Sequence, residues 1–240
     1  MENSLPVAVV IPTFNERDNI PHLLKDIFSL HMPNLFAVVV DDSSPDGTGA
    51  VADELAKTYP LYVIHRQKKE GLGKAYIHAF KEILSPEFPK KPAYVIQMDA
   101  DLSHNPNAIP RFLEKIEGCD VVLGSRYIKG GGIENWGRLR HLISRLGNAY
   151  ATLVLDLVQR DVTSGYKCFR REVLEHLDLD VLSSVGYNFQ IETTYKAFKK
   201  GYAIAEIPIV FTERRTGSSK FNVGIIIESF IRVLMLRFRK

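Results

Sequence analysis

The chain reads as one α/β domain, a mostly parallel sheet with helices on both faces. Three observations predict it. Continuous apolar runs such as Val7-Ala-Val-Val-Ile11 and Phe36-Ala-Val-Val-Val40 suit parallel strands buried on both faces. These runs alternate with segments of helical periodicity through the first half of the chain. Each run also ends in a polar loop, most of them acidic. With 240 residues, 45% hydrophobic and 25% charged, the chain suffices for one such domain with a proper core.

The elements follow in order. Val7–Ile11 ends at Pro12-Thr-Phe-Asn-Glu16, and a helix carries Ile20, Leu23, Leu24, Ile27 and Phe28 at helical spacing. Phe36–Val40 ends in Asp41-Asp42-Ser-Ser-Pro-Asp-Gly-Thr, which opens a helix with Val51, Leu55 and Ala56 inward. Leu61–Ile64 is a third strand, followed by His65 and Arg66; Gly71-Leu-Gly-Lys-Ala75 then leads into a helix over Tyr76–Leu84. After a Pro-rich loop from Ser85 to Pro92, Tyr94–Met98 is a fourth strand. The second half is less regular. Ile109, Phe112, Leu113 and Ile116 mark a helix, and Asp120–Leu123 a strand ending in Gly124-Ser-Arg126. Lys129 to Gly137 holds four glycines and is expected to be a mobile loop. Leu139–Leu157 reads as a long helix, and Ile204–Phe211 as a strand placed at an edge because Pro208 interrupts it. There is no internal repeat, low-complexity tract or interdomain linker, so residues 1–222 form the domain and 223–240 a terminal helix.

Composition narrows the function classes. A net charge of +3 gives slight support for an anionic partner and none for nucleic acid. Cys119 and Cys168 are far apart without ligand spacing, which reads as core thiols in a reducing cytosol. The start of the chain lacks a basic region followed by an apolar one, so no signal peptide is expected, and no apolar run is long enough for a transmembrane helix. In the terminal stretch Glu228, Ser229, Arg232, Arg239 and Lys240 share one sector of a helix, with Arg237 opposite. Two readings stand: a basic amphipathic helix on an anionic membrane, or a last helix packed on the domain with a solvated basic end.

The chemistry gathers around Val95-Ile-Gln-Met-Asp-Ala-Asp-Leu-Ser-His104. Strand alternation continued past the strand end puts Asp99, Asp101 and Ser103 roughly on one side. Two close carboxylates repel unless a cation lies between them or one is protonated. Mg²⁺ or Mn²⁺ suits such oxygen ligands, and Mg²⁺ commonly combines one or two carboxylates with substrate phosphates. Ligands in open α/β sheets bind beyond the carboxyl ends of strands, where Glu16 and Asp42 also stand and can meet a base or ribose; either can equally cap a helix. No G-x-G-x-x-G follows the first strand and no Walker A motif is present, which disfavours dinucleotide and P-loop chemistry. Arg126, then Arg138, Arg140, His141 and Arg145, form a cationic group in which Arg140 and Ser144 share a helix face suited to a phosphate. Glu213 to Lys220 is a second cationic loop, whose Arg214 and Lys220 could close over a pyrophosphate. The whole suits a nucleoside-diphosphate leaving group and a second, phosphorylated partner; an ionised phosphate nucleophile needs no general base.

Pro-Thr-Phe-Asn-Glu at 12–16, Val-Asp-Asp-Ser-Ser-Pro-Asp-Gly-Thr at 40–48 and Gly-Leu-Gly-Lys-Ala-Tyr at 71–76 resemble family 2 glycosyltransferases of the Rossmann-like GT-A fold. Met-Asp-Ala-Asp-Leu-Ser-His-Asn-Pro at 98–106, Gly-Ser-Arg-Tyr at 124–127 and Gly-Ser-Ser-Lys at 217–220 narrow the resemblance to the dolichol-phosphate (polyprenol-phosphate) mannose synthases. It runs from about Val7 to Lys220. The resemblance implies metal-dependent, inverting transfer of mannose from GDP-mannose to a polyprenyl or dolichyl phosphate. By motif, Pro12, Phe14, Glu16, Val40 and Asp42 would hold the guanosine, and Asp99, Ala100 and Asp101 would meet diphosphate, sugar and metal. Ser103 would be a further metal-side group; Arg126, Arg140 and Ser144 would hold the acceptor phosphate, Arg126 also meeting the nucleotide sugar; Arg214 and Lys220 would close on the donor. Asp99, Asp101 and Arg126 are thus the expected catalytic residues. Phe14 stands where Tyr is frequent, which keeps stacking and loses a hydroxyl. The chain resembles the single-domain members, which reach lipid on the cytosolic membrane face through a terminal helix or a small membrane-protein partner. The competing readings are a UDP-glucose-dependent polyprenyl-phosphate glucosyltransferase, a sugar-phosphate nucleotidyltransferase, which should carry a glycine-rich basic loop after the first strand, and a non-catalytic nucleotide-sugar-binding subunit.

Overall fold

The computed structural model describes residues 5–182, 187–212 and 223–238. Strands β1 (Val7–Thr13), β2 (Leu35–Asp41), β3 (Leu61–His65) and β4 (Tyr94–Gln97) alternate with helices α1 (Asn19–Phe28), α2 (Thr48–Leu55) and α3 (Leu72–Leu84). Then come α4 (Ile109–Ile116), β5 (Val121–Ser125), β6 (Gly132–Glu134), α5 (Arg138–Leu155), β7 (Lys167–Arg170), α6 (Arg171–His176), α7 (Tyr187–Lys199), β8 (Ile204–Pro208), β9 (Val210–Thr212) and α8 (Val223–Phe238).

Seven strands form one sheet in the order β3-β2-β1-β4-β7-β5-β8. All neighbours are parallel except β7, which runs antiparallel to both β4 and β5. The residues of β1 alternate between two cores. Val7, Val9 and Ile11 meet Ile20, Leu23, Leu24 and Phe112 on one face, while Ala8 and Val10 join Tyr76, Phe80, Phe169 and Phe189 on the other. This two-sided burial is why the strand reads as an unbroken apolar run. A third, smaller cluster joins Ala151 and Leu155 of α5, Ile191 and Tyr195 of α7, and Val233 and Leu236 of α8.

Three features depart from the sequence reading. β7 was not expected: it is four residues long and begins with Lys167, a charged residue that is nevertheless fully buried. The run Ile204–Phe211 divides at Pro208–Ile209, so that β8 is the edge strand of the main sheet and β9 pairs with β6 in a separate ribbon. The glycine-rich segment Lys129–Gly137 therefore contains a strand. Gly131 is required there because a Cβ would lie 2.5 Å from the Ser125 carbonyl oxygen.

Candidate active site

The strand order places the site. β1 lies between β2 and β4, so the chain leaves β1 toward one side and later returns on the other; the carboxyl ends of β1, β2 and β4 flank a crevice of the kind that binds ligands in open α/β sheets. The β5 end, with Arg126, reaches the same edge. Because β7 is antiparallel, the segment before it, Asp161 to Tyr166, comes to this edge as well.

The loops after β1 and β2 are tied together. The Asn15 N–H donates to Ser44 Oγ at 3.1 Å, Glu16 N–H to Thr48 Oγ1 at 2.9 Å, and Arg17 N–H to Asp46 Oδ2 at 3.2 Å. Asp46 is held below the usual carboxylate range by hydrogen bonds from Thr48 and Arg17, against the opposing effect of burial. Pro12 and Val40 are buried, and Phe14 is half-buried. Glu16 accepts a bond from Asn19 Nδ2 at 2.7 Å. Asp42 is buried and receives the Arg66 guanidinium together with the N–H groups of Glu70 and Gly71 at 3.3 and 3.4 Å. Asp42 thereby folds the loop 66–71 back over the strand ends, and Lys69 Nζ lies 3.3 Å from the Phe14 ring centroid. Arg66 and Lys69 were missed in the sequence, since nothing local distinguishes them from solvated basic residues.

After β4, Asp99 is half-buried, while Ala100, Asp101 and Ser103 are buried. Leu102 adopts a left-handed φ of 63°, uncommon for a non-glycine residue, and the turn lets Asp101 Oδ1 accept the Ser103 N–H at 3.1 Å. Tyr76 Oη donates to the Met98 carbonyl and sits 3.4 Å from Asp99 Oδ1. Burial, with the Asp99 charge added, pushes the Tyr76 phenol well up, so it stays a donor. The Asp99 N–H donates to His104 Nδ1 at 3.1 Å, and burial lowers His104 to about 4. His104 is thus a neutral acceptor that orients this loop, stacked on Tyr166 at 4.8 Å between centroids.

The residues here fit a hard divalent cation. Ser103 Oγ is buried with no hydrogen-bond partner, and Gly165 leaves room beside Asp99, where a Cβ would stand 3.3 Å from Oδ2. Among the described residues no group of three or more His, Cys, Asp or Glu is placed to hold a metal. A cation would therefore draw on two carboxylates, a hydroxyl and oxygens from substrate, which is the usual pattern for Mg²⁺.

Arg126 forms a buried ion pair with Asp161, with Nε and Nη2 each 2.7 Å from a carboxylate oxygen. Its guanidinium also lies between 5.3 and 5.8 Å from the ring centroids of Tyr127, Trp136 and Phe211. Arg140 stacks on Trp136 at 4.0 Å. Ser144 Oγ accepts from Tyr127 Oη at 2.7 Å, which joins α5 to the end of β5. The structure thus gathers Arg126, Arg140 and Ser144 around Tyr127, given no role in the sequence reading beyond its place in the Gly-Ser-Arg-Tyr motif, and Trp136, which that reading did not single out. Arg214 and Lys220 lie outside the described residues.

The profile of "Glycosyl transferase family 2" matches residues 8–178. A polyprenol monophosphomannose synthase of Mycolicibacterium smegmatis is 42% identical over 228 residues, covering 94% of this chain and 84% of that protein. An undecaprenyl-phosphate mannosyltransferase of Micrococcus luteus is 40% identical, covering 95% and 92%. A dolichol-phosphate mannosyltransferase of Pyrococcus furiosus is 39% identical, covering 93% of this chain and 61% of the relative. Among solved structures, glucosyl-3-phosphoglycerate synthase from Mycobacterium tuberculosis, in complex with Mn²⁺ and UDP-glucose, superimposes with a TM-score of 0.70 at 21% identity, over 98% of this chain and 80% of the other. The same protein has been crystallised with Mg²⁺ and UDP. That likeness concerns the fold, a mostly parallel GT-A sheet. The profile match spans most of the domain and the relatives nearly all of the chain: this protein belongs to glycosyl transferase family 2.

Proposed function

We propose that the protein transfers mannose from GDP-mannose to a polyprenyl or dolichyl monophosphate with inversion, releasing GDP. The observation that carries this reading is the meeting, at one sheet edge, of the Asp99–Asp101–Ser103 oxygens with the Arg126, Arg140 and Ser144 group. One half suits a diphosphate and its counter-ion, the other a phosphate monoester. The names of the relatives at about 40% identity supply the sugar and the acceptor class.

The acceptor phosphate oxygen attacks the sugar C1, the bond from C1 to the diphosphate oxygen breaks, and the electron pair leaves with GDP. An ionised phosphate needs no base, which agrees with a neutral, buried His104 that accepts a backbone N–H. Asp99, Asp101 and Ser103 would hold Mg²⁺ or Mn²⁺. When bound, the ion would neutralise charge on the departing diphosphate. Phe14 offers a face for the base, and Pro12, Glu16, Val40, Asp42 and Ala100 form the surrounding wall. Arg126, Arg140 and Ser144 bring the acceptor phosphate in line. Arg214 and Lys220 would close over the donor. Asp101→Ala should lower turnover about 1000-fold while GDP binding persists; turnover near wild type would remove Asp101 from the metal site.

The setting is a membrane surface on the cytosolic side. Among the described residues no helix is long and apolar enough to cross a membrane. Yet Leu139, Leu142, Leu146 and Leu153 of α5 are 54–83% exposed, and Ile231, Leu234, Met235 and Phe238 of α8 are exposed as well. The two helices touch through Tyr150 and Phe230, with ring centroids 4.2 Å apart. Exposed Arg138, Arg145 and Arg237 accompany the apolar residues, a combination suited to anionic lipid. A small membrane-protein partner is a second candidate for covering the α8 ridge.

The deciding experiment measures transfer of labelled sugar to a short polyprenyl phosphate with Mg²⁺ or Mn²⁺, using GDP-mannose, UDP-glucose and UDP-N-acetylglucosamine in turn. Transfer from GDP-mannose alone is expected. Transfer from UDP-glucose would replace the donor and keep the mechanism, and binding without turnover under any condition would support the non-catalytic reading.

A further inference from the structure

Asp161 is fully buried, and its carboxylate grips both the backbone and the side chain of one residue. Oδ2 accepts the Arg126 N–H at 2.9 Å and Nε–H at 2.7 Å, and Oδ1 accepts Nη2–H at 2.7 Å. Nη2 also donates to Thr163 Oγ1 at 2.8 Å. That hydroxyl receives Asn148 Nδ2 at 2.9 Å and lies 3.2 Å from Asp161 Oδ1. Asn148 belongs to α5; its Oδ1 accepts the Thr163 N–H at 3.2 Å, and its Nδ2 lies 3.2 Å from the Ser144 carbonyl oxygen. From the far side, Glu206 of β8 accepts the N–H groups of Arg160 and Asp161 at 2.9 and 3.0 Å. Three of the five guanidinium N–H groups are thus committed to Asp161 and Thr163.

We propose that Asp161 is a positioning residue for the transfer: with Thr163 and Asn148 it holds Arg126 and the Ser144 turn of α5 in one rigid frame for the acceptor phosphate. The proposal rests on the reading of Arg126 and Ser144 as the acceptor-phosphate site. A carboxylate that binds Nε and Nη2 side-on fixes both the direction and the rotation of the guanidinium plane. It also compensates the charge, so the frame recognises a phosphate by the placement of its donors. A lone cation on a flexible stem would not. Such preorganisation matters because an error of about 1 Å in a reacting group costs on the order of 100-fold in rate. The antiparallel direction of β7 is what delivers Asp161 and Thr163 to this edge.

The test compares Asp161→Asn, Asp161→Glu, Thr163→Val and Arg126→Lys, with the Asp161→Asn/Arg126→Lys double variant, in the full chain. For each, kcat and KM for a short polyprenyl phosphate, KM for GDP-mannose and binding of GDP are measured. Asp161→Asn is expected to lower kcat/KM for the lipid phosphate about 10- to 100-fold with GDP binding within twofold, and Asp161→Glu to recover part of the loss. The double variant should be no worse than Arg126→Lys alone, since the two residues act as one unit. An acceptor loss in Arg126→Lys without one in Asp161→Asn would overturn the positioning role and keep the acceptor assignment. No acceptor loss in Arg126→Lys would overturn both. An equal fall in donor and acceptor affinity would make Asp161 merely structural and overturn the proposal. Should Asp161→Asn fail to fold, Thr163→Val carries the test: a selective acceptor loss supports the frame, and unchanged acceptor kinetics overturn it.

Discussion

Gly165 shows how much a single missing atom can matter. A Cβ at this position would stand 3.3 Å from Asp99 Oδ2 and 3.5 Å from His104 Cε1, tight enough to push the carboxylate by a few tenths of an ångström. Gly165→Ala should therefore weaken divalent-cation affinity about 10-fold or more while leaving thermal stability nearly unchanged. A titration of activity against Mn²⁺ measures this, and an unshifted half-point would show that the gap beside Asp99 is incidental. Lys167, two residues on, is fully buried, with Nζ bonded to the Gln190 carbonyl at 2.5 Å, to Thr193 Oγ1 at 3.2 Å and to Thr194 Oγ1 at 2.9 Å. Burial lowers its ammonium to about 7, with the Asp161 charge opposing. Between that value and the ordinary lysine range the unfolded chain binds a proton that the folded chain does not, so folding stability rises with pH across this window. The slope is at most about 1.4 kcal/mol per pH unit. Denaturant unfolding of wild type and Lys167→Met from pH 6.5 to 10 should show the wild type gaining on the variant as pH rises; a constant difference would mean that Lys167 stays charged throughout.

At the scale of elements, α5 has two working faces. At 100° per residue, Leu139, Leu142, Leu146 and Leu153 fall within about 60° of arc, and Ser144, Asn148, Ala151 and Leu155 on the opposite side. The inner face joins the proposed acceptor frame and the core, while the outer face is exposed among the described residues. Each leucine that enters the lipid interface should contribute about 1 kcal/mol, less than full burial because insertion is shallow. Leu142→Ser and Leu146→Ser should each weaken binding to anionic vesicles about fivefold, with GDP binding intact; vesicle sedimentation decides. Unaltered partitioning would assign the outer face to a protein partner. The long periodic segment made α5 legible as a helix, and the Arg140–Ser144 spacing marked its inner edge. The leucine stripe was equally present in the sequence, but a stripe of leucines on a helix is ordinarily core, and only its exposure among the described residues changes its meaning.

For the whole molecule, the proposed donor site spans loops from three strands, so ligand binding should stabilise the domain as a unit. At 100 times its Kd, GDP with Mg²⁺ adds about 2.7 kcal/mol. In a domain of this size that raises Tm by roughly 5–10 °C. Thermal scans with GDP and UDP, each with and without Mg²⁺, should show the largest shift for GDP with the cation. Equal shifts for both nucleotides would remove guanine selectivity from the site.

The sequence by itself determined the strands β1 to β5, the helices between them, the long helix α5, the terminal helix α8, the strand run at Ile204–Phe211, and the acidic loops after β1, β2 and β4. Burial on both sheet faces writes itself as unbroken apolar runs, and amphipathic helices write themselves at a period of 3.6. The candidate Asp99–Asp101–Ser103 group was legible because all its members sit within one loop. Only the tertiary structure decided the rest. β7 is short and begins with a charged residue, so no local pattern marks it, and its antiparallel insertion between β4 and β5 is a matter of non-local pairing. That direction brings Asp161 to Arg126 across 35 positions of sequence and Gly165 to Asp99. Periodicity carries information about which side of an element is buried. It carries none about which distant residue a buried carboxylate will face, because that is set by strand order and direction in the finished sheet.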